Sequence, residues 1–162
     1  MMSLAAQKEK KIVLRSSDGE EFEVEVATAR QSKMISNMIN DGCVEGSIPL
    51  FNVDARTLAK VIEYCRRHAG ATRILDEYDN PNEEIKSWDA TYIDVHQTIL
   101  YDILQAADYL EIKDLLDLAC EQVANIIRGK HVEEIRNTFN IKNDFTVEEE
   151  KEIRKQHPWL FE

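Results

Sequence analysis

The sequence predicts an α+β fold in which a small β-sheet is flanked by helices and followed by further helices at the C-terminus. Three observations support this prediction. Apolar and polar residues alternate on both sides of a turn near the N-terminus, and apolar residues recur at helical spacing through the middle of the chain. The region after Gly129 carries short helical patterns with few apolar residues. The length of 162 residues suits one ordinary domain with a small appendage.

The stretch KIVLRSSDGEEFEVEV predicts a β-hairpin with one buried face. Ile12 and Leu14 alternate with polar neighbours, and Phe22 and Val24 alternate with glutamates after the turn residues Asp18–Gly19. A later stretch, SIPLFNV, predicts a short edge strand because its proline cannot donate a hydrogen bond to a neighbouring strand.

Helical periodicity accounts for most of the chain between the hairpin and Gly129. Asp54 suits the N-cap of the stretch ARTLAKVIEYCRRHAG, which Gly70 can end. The stretches HQTILYDILQAADYL and KDLLDLACEQVANIIRG each carry a broad apolar face, and Gly129 can end the second. The acidic stretch 70–84 breaks the periodicity and is predicted to be a surface loop or linker.

The C-terminal region places apolar residues between its helices more than within them. Thr146 and Glu149 form the pattern of a capping box, and the charged helix that follows has only Val147 and Ile153 as sizeable apolar residues. The chain then ends in HPWLFE, where we expect the proline to turn Trp159 back toward the preceding helices. Composition alone leaves two alternatives open: a tail buried on its own helices, or a surface completed by another protein.

Charge and composition exclude several classes of partner. The net charge of −11 would repel nucleic acid and anionic membranes. No apolar stretch is long enough for a membrane span, and no apolar segment precedes the lysines at the start as in a secretory signal. The three cysteines form no CxxC pair, and Cys65 and Cys120 fall on predicted apolar helix faces. We therefore expect an intracellular protein in a reducing compartment.

No catalytic motif is present in the sequence. GxSxG, HExxH, EF-hand and GxGxxG patterns are absent, and the four histidines lack metal-ligand spacing. We expect solvated or helix-capping roles for His68, His96, His131 and His157. The sequence thus predicts no enzyme, no catalytic residue, no cofactor and no metal, and it favours a protein that acts by binding.

Four stretches carry a specific resemblance: KIVLRSSDGEEFEVEV, VIEYCRRH, ILQAADYLEIKDLLDLACEQVANIIRGK and EEIRNTFNIKNDFTVEEEKEIRKQHPW. In this order and spacing they resemble the S-phase kinase-associated protein 1 family, the adaptor subunits of SCF (cullin–RING) ubiquitin ligases. The resemblance covers nearly the whole chain from Lys11 onward and is greatest to plant members.

The resemblance implies a BTB/POZ fold over residues 11–127, with the acidic linker 70–84 within it. It also implies a C-terminal helical extension at residues 128–162 that binds F-box proteins. Such a protein is a non-enzymatic adaptor in the nucleus and cytoplasm. It bridges F-box substrate receptors to a cullin scaffold, and through the cullin to a RING protein. The charged start of the chain, residues 1–10, is predicted to be a flexible tail.

Site residues follow from the same resemblance, position by position. The cullin-facing candidates are Asp108, Tyr109, Pro49, Leu50 and Asn52. The F-box-facing candidates are Leu115, Leu116, Val123, Ile127, Ile135, Phe139, Ile141, Phe145 and Trp159.

Two departures from the family pattern concern the cullin-facing positions. The family usually has Asn where this chain has Asp108, and Pro where it has Phe51. They leave open a divergent paralogue that binds F-box proteins without efficient cullin binding. An enzyme with a hidden site is a third alternative, and the sequence also leaves open weak self-association of the free protein through its apolar surface.

Overall fold

The computed structural model describes residues 10–71 and 83–161, which form a small sheet and a set of helices. The elements are β1 (Lys11–Arg15), β2 (Glu21–Glu25), α1 (Val26–Ala29), α2 (Lys33–Asn40), β3 (Ser47–Pro49), α3 (Ala55–Ala71), α4 (Glu83–Ile93), α5 (Gln97–Leu110), α6 (Lys113–Ile127), α7 (Val132–Phe139), α8 (Val147–Gln156) and a terminal 3₁₀ turn (Pro158–Phe161). The α+β prediction is confirmed.

The sheet has β1 at its centre, with β2 antiparallel on one side and β3 parallel on the other. Ile12 lies opposite Val24 in the hairpin, and both side chains are buried together with Leu14. Gly19 takes a φ of +88° in the turn, a conformation that favours glycine. The predicted hairpin is therefore confirmed, and so is the edge position of the strand that contains Pro49.

The core forms where α3 packs against α5, and it also includes the inner face of the sheet. Ser32 connects α2 to this core, because its hydroxyl donates to the Leu110 carbonyl at the end of α5 and accepts from the Ile35 amide. The buried apolar side chains of α3 and α5 are Leu58, Val61, Ile62, Tyr64, Cys65, Leu100, Ile103, Ala106, Ala107 and Leu110.

The cysteines divide between core and surface. Cys65 is buried, and burial raises the pKa of its thiol to about 12, so it remains a protonated apolar side chain at neutral pH. Cys120 is exposed, so the prediction that it lies on a buried face is wrong. The buried stripe of α6 runs through Leu115 and Ala119, and Cys120 is displaced from Ala119 by the 100° of one helical residue.

An aromatic cluster attaches α4 to α3. The rings of Trp88 and Tyr92 stack at 4.9 Å, and the Tyr92 hydroxyl donates to the Lys60 carbonyl at 2.7 Å. His68 lies 4.0 Å from the Tyr64 ring, and its Nε2 is 2.7 Å from Oδ1 of Asp89. The prediction of a solvated or capping role is therefore wrong for His68, because α4 supplies a carboxylate that the local sequence around it does not contain.

Two predicted boundaries differ from those of the structure. Helix α3 continues through Gly70 to Ala71, so Gly70 does not end it, and Glu83 and Glu84 already belong to α4. A glycine in the last turn of a helix costs about 1 kcal/mol at most, which the packing of α3 outweighs. The rest of the predicted linker, residues 72–82, and all but one residue of the predicted N-terminal tail lie outside the described residues.

The chain separates into two compact units, one that ends at Gln122 and one that begins at Val123. The division falls within α6, whereas the resemblance implies a boundary after residue 127, the last residue of that helix.

Two aspartates bind the first turn of α3. Asp54 is the predicted N-cap, and its Oδ1 accepts from the Thr57 amide at 2.8 Å. Asp18, in the hairpin turn, accepts from the Ala55 amide at 2.8 Å and from the Ser16 hydroxyl at 2.5 Å. The Ser16 hydrogen bond is the main reason that the pKa of Asp18 is lowered, and the Ala55 amide adds to it.

We predict that Asp18→Asn lowers stability at neutral pH and that its effect shrinks in acid. A carboxyl group with a lowered pKa stabilises the folded state above its unfolded pKa of about 3.9, and this contribution is lost as the pH falls through the folded value. Urea unfolding of both proteins from pH 7 to pH 3 measures the difference. Glu45→Gln removes the same charge from an exposed loop residue and is the control. A difference that stays constant over this pH range would contradict the prediction.

Candidate protein-binding surfaces

The C-terminal unit leaves its apolar side chains accessible. None of its described residues, 123–161, is fully buried. Its most exposed large apolar residues are Ile141, Phe145, Val147 and Trp159, with 55%, 48%, 65% and 67% of their surface accessible. Because exposed apolar residues in such numbers usually mark an interface, this unit is the principal candidate site.

The segment between α7 and α8 is held by local contacts. Asn140 ends α7 in the left-handed conformation with a φ of 53°, and the Ile141 amide donates to the Arg136 carbonyl at 2.8 Å. The Arg136 guanidinium pairs with Glu133 and lies 6.0 Å from the centre of the Phe145 ring. These contacts leave Ile141 and about half of Phe145 accessible.

The predicted capping box begins α8 as expected. The Glu149 amide donates to the Thr146 hydroxyl at 3.2 Å, and the Thr146 amide donates to the Glu149 carboxylate at 2.9 Å. Acidic residues occupy the first turn, while Arg154 and Lys155 lie in the last, which suits the helix dipole. No residue of α8 is buried, so this helix is stabilised by local interactions, whereas most helices are stabilised by tertiary packing.

The terminal turn divides the three apolar residues at the end of the chain. Trp159 is exposed beside the His157 ring, whereas Leu160 and Phe161 are half-buried. The Arg154 guanidinium lies 4.4 Å from the centre of the Phe161 ring. Trp159 is 67% exposed in the described structure, and the expectation that it returns toward the preceding helices stays a prediction.

The remaining F-box-facing candidates occupy α6 and α7. On α6, Leu116, Val123 and Ile127 are half-buried at a spacing that places them on one helix face. Leu115 is 0% exposed and belongs to the core, so its side chain is not accessible to a partner. On α7, Ile135 and Phe139 are both half-buried.

The cullin-facing candidates lie on two separate elements. Asp108 is exposed and Tyr109 is half-buried in the last turn of α5. The other candidates follow β3, where Pro49 is half-buried, Leu50 is fully buried and Asn52 is exposed. No hydrogen bond described for residues 10–71 and 83–161 joins the two groups. Leu50 is a core residue, so its side chain offers no surface to a partner.

Phe51 is the most exposed large apolar residue of the described chain, at 74%. The buried residues Leu50 and Val53 anchor the turn that carries it. The Leu50 amide donates to the Arg15 carbonyl and the Ser17 amide donates to the Val53 carbonyl, both at 2.8 Å. The turn therefore presents the Phe51 ring to solvent from a firmly held backbone.

The first unit contains an apolar cavity of about 20 Å³, the space of about one water molecule, with Cys65 among its lining residues. Within residues 10–71 and 83–161, no three His, Cys, Asp or Glu side chains cluster as metal ligands would. The helices described there also lack the combination of length and apolarity that crossing a membrane requires.

Comparison with known proteins places the chain in a family. The sequence model of the Skp1 family tetramerisation domain, a POZ domain, matches residues 10–70, and that of the Skp1 family dimerisation domain matches residues 113–160. The chain belongs to the Skp1 family. These matches confirm the resemblance found in the sequence and the BTB/POZ prediction.

Relatives from plants match over nearly their full length. SKP1-like protein 1A of Arabidopsis thaliana is 51% identical, over 94% of this chain and 98% of its own. SKP1-like protein 1 of Oryza sativa subsp. japonica is 50% identical, over 98% of this chain and 100% of its own. SKP1-like protein 11 of Arabidopsis thaliana is 51% identical, over 94% of this chain and 98% of its own. The similarity to plant members predicted from the sequence is confirmed.

Sequence reasoning missed the two arginine–aromatic contacts of the C-terminal unit. Arg154 and Phe161 are separated by a proline that interrupts helical periodicity, so no spacing rule connects them. Arg136 and Phe145 are separated by the turn at Asn140, with the same consequence. The sequence gives a weak indication of the turn at Asn140, since Asn adopts the left-handed backbone conformation more readily than most residues.

We predict that Thr146→Ala loosens α8. Loss of an N-cap hydroxyl costs a helix about 1 kcal/mol, which corresponds to about five-fold faster amide exchange. Hydrogen exchange followed by mass spectrometry on peptides covering residues 147–156 measures this change. Lys151→Ala, an exposed residue in the middle of the same helix, is the control and should leave the exchange rate nearly unchanged. Equal exchange in wild type and Thr146→Ala would contradict the assigned capping role.

Proposed function

We propose that this protein is a non-enzymatic adaptor of an SCF-type ubiquitin ligase. Its C-terminal unit binds F-box substrate receptors, and its BTB/POZ unit binds a cullin scaffold, which brings a RING protein. The observation that carries the proposal is the set of accessible apolar residues in the C-terminal unit of a Skp1 family member. We place the adaptor in the nucleus and cytoplasm, and imaging of a fluorescent fusion tests this location.

The chemistry of the C-terminal unit suits a protein partner. Aromatic side chains carry large shares of the binding energy at protein interfaces, and Phe145 and Trp159 are each about half or more exposed. The charged residues of α8, which lies between Phe145 and Trp159 in the chain, would supply the polar rim of such an interface. An apolar segment of an F-box protein, laid on these residues, would remove them from water.

The cullin-facing part of the proposal depends on Asp108. Its side chain is exposed in the free protein, so its charge is solvated. Compared with the Asn that the family usually has, a carboxylate lacks two hydrogen-bond donors and adds a negative charge. Burial against a cullin without a compensating cation would cost about 1–3 kcal/mol. The proposal therefore includes a cullin partner that supplies a cation or leaves this carboxylate in water.

We predict that Trp159→Ala weakens F-box binding at least ten-fold. Removing an aromatic anchor from an interface costs about 2 kcal/mol or more. The measurement is the Kd of an F-box peptide for the full chain by fluorescence anisotropy. Val44→Ala, a half-buried residue of the first unit, truncates an apolar side chain without touching the C-terminal unit and is the control.

The same complex supplies a second readout. Residues 140–161 should gain protection from amide exchange when the F-box peptide binds, because the partner covers a unit without buried residues of its own. Failure of the wild-type chain to bind any F-box peptide would refute the proposed function. Equal protection in free and bound states would place the interface elsewhere.

A second candidate function is a paralogue that binds F-box proteins without efficient cullin binding. Asp108 and Phe51, both exposed and both departures from the family pattern, are the observations that favour it. Under this alternative, the chain would deliver F-box proteins to complexes other than a ligase.

We predict that, for such a paralogue, Asp108→Asn raises the affinity for a cullin N-terminal domain about ten-fold. The substitution removes a negative charge that cullin binding would bury without a cation, and that burial costs about 1–3 kcal/mol. Asp102→Asn makes the same change on an exposed residue of α5 and is the control. Titration calorimetry with the F-box complex measures both. Either strong cullin binding by the wild-type chain or no gain from Asp108→Asn would reject the paralogue, and strong wild-type binding would also support the ligase adaptor.

A further inference from the structure

In the described part of the chain, a side-chain contact connects the terminal turn to α8. The Arg154 guanidinium lies 4.4 Å from the centre of the Phe161 ring and 3.4 Å from Oε1 of Glu150. A guanidinium at this distance from an aromatic ring is within the range of a cation–π interaction. Glu150, one turn earlier on the same helix, restrains the arginine through this i, i+4 ion pair. Glu150, Arg154 and Phe161 therefore form a chain of contacts across Pro158.

This contact determines which terminal side chain remains accessible. Phe161 is half-buried against α8, and the Leu160 amide donates to the His157 carbonyl at 3.1 Å to close the 3₁₀ turn. With both ends of the turn held, Trp159 is left 67% exposed, with its ring 6.2 Å from that of His157. Without the Phe161 contact, the segment would lose the described side-chain contact that connects it to α8.

We infer that Arg154 is a positioning residue, which presets Trp159 for the receptor by holding Phe161 against α8. The inference rests on the proposed function and assigns distinct roles to the terminal aromatic residues. Trp159 contacts the partner, whereas Phe161 contacts this chain. Arg154 acts through these residues, so its effect on affinity depends on the presence of the Trp159 ring.

A double-mutant cycle tests this dependence. Arg154→Gln should weaken binding of an F-box peptide to the full chain about two- to five-fold, the effect of one exposed cation–π contact. In the Trp159→Ala background, the same substitution should change the Kd by much less. Equal effects in both backgrounds would overturn the inference, because they would mean that Arg154 contacts the partner or acts independently of Trp159.

Three further variants separate positioning from charge. Lys155→Gln removes a neighbouring positive charge of α8 without a ring contact, and it should leave the Kd unchanged. Phe161→Leu retains an apolar side chain but loses the ring, so it should match Arg154→Gln and add nothing to it. Arg154→Lys retains a cation and should recover part of the affinity. A loss of affinity in Lys155→Gln equal to that in Arg154→Gln would assign the effect to net charge and overturn the inference.

A readout in the free protein separates this inference from the proposed function. The indole N–H resonance of Trp159, assigned by its loss in Trp159→Phe, reports the order of the turn without any partner. Arg154→Gln should shift this resonance and speed amide exchange in residues 158–161, and Lys155→Gln should do neither. If both observables stay unchanged in Arg154→Gln, the inference fails even when the F-box peptide binds. If they change but no F-box peptide binds the wild-type chain, the proposed function fails and the positioning contact stands.

Discussion

The burial of apolar side chains between α3 and α5 is the interaction on which the first unit depends. Leu58, Leu100 and Ile103 are at most 1% exposed there. The neighbouring elements pack on the same core. The inner face of the hairpin is buried in it, and Ser32 connects α2 to the end of α5. Loss of any of these three side chains would open a cavity in a close-packed interior, which costs several kcal/mol.

The C-terminal unit is stabilised in a different way, and this difference relates to its function. Its described residues include none that is fully buried, and a capping box, a left-handed asparagine and two arginine–aromatic contacts hold its segments. Such local interactions are each worth about 1 kcal/mol, so they order the chain without covering its apolar residues. An adaptor needs this combination, because its surface must have a defined shape and still be available to a partner.

Much of the fold could be predicted because its signals are local. The alternation around Asp18–Gly19, the edge proline and the N-cap at Asp54 each report a structure formed by neighbouring residues. The errors arose where a distant element decides the outcome. His68 is paired because α4 brings Asp89 to it, and Gly70 lies within a helix that tertiary packing sustains. For the candidate site, the sequence supplied candidate apolar residues, which stay predictions, but it did not predict their burial: Leu50 and Leu115 belong to the core, while Phe145 and Trp159 are accessible.

By itself, the sequence determined the class of the fold, the family and the absence of catalytic motifs. Hydrophobic periodicity, helix caps and the order of motifs along the chain can all be recognised without knowing which elements pack together. Tertiary structure alone decided how the apolar residues divide between core and surface. Burial depends on which elements meet, and a contact such as that of Arg154 with Phe161 across Pro158 follows from backbone geometry rather than from spacing. That contact, and not composition, separates Phe161 from the exposed Trp159 at the end of the chain.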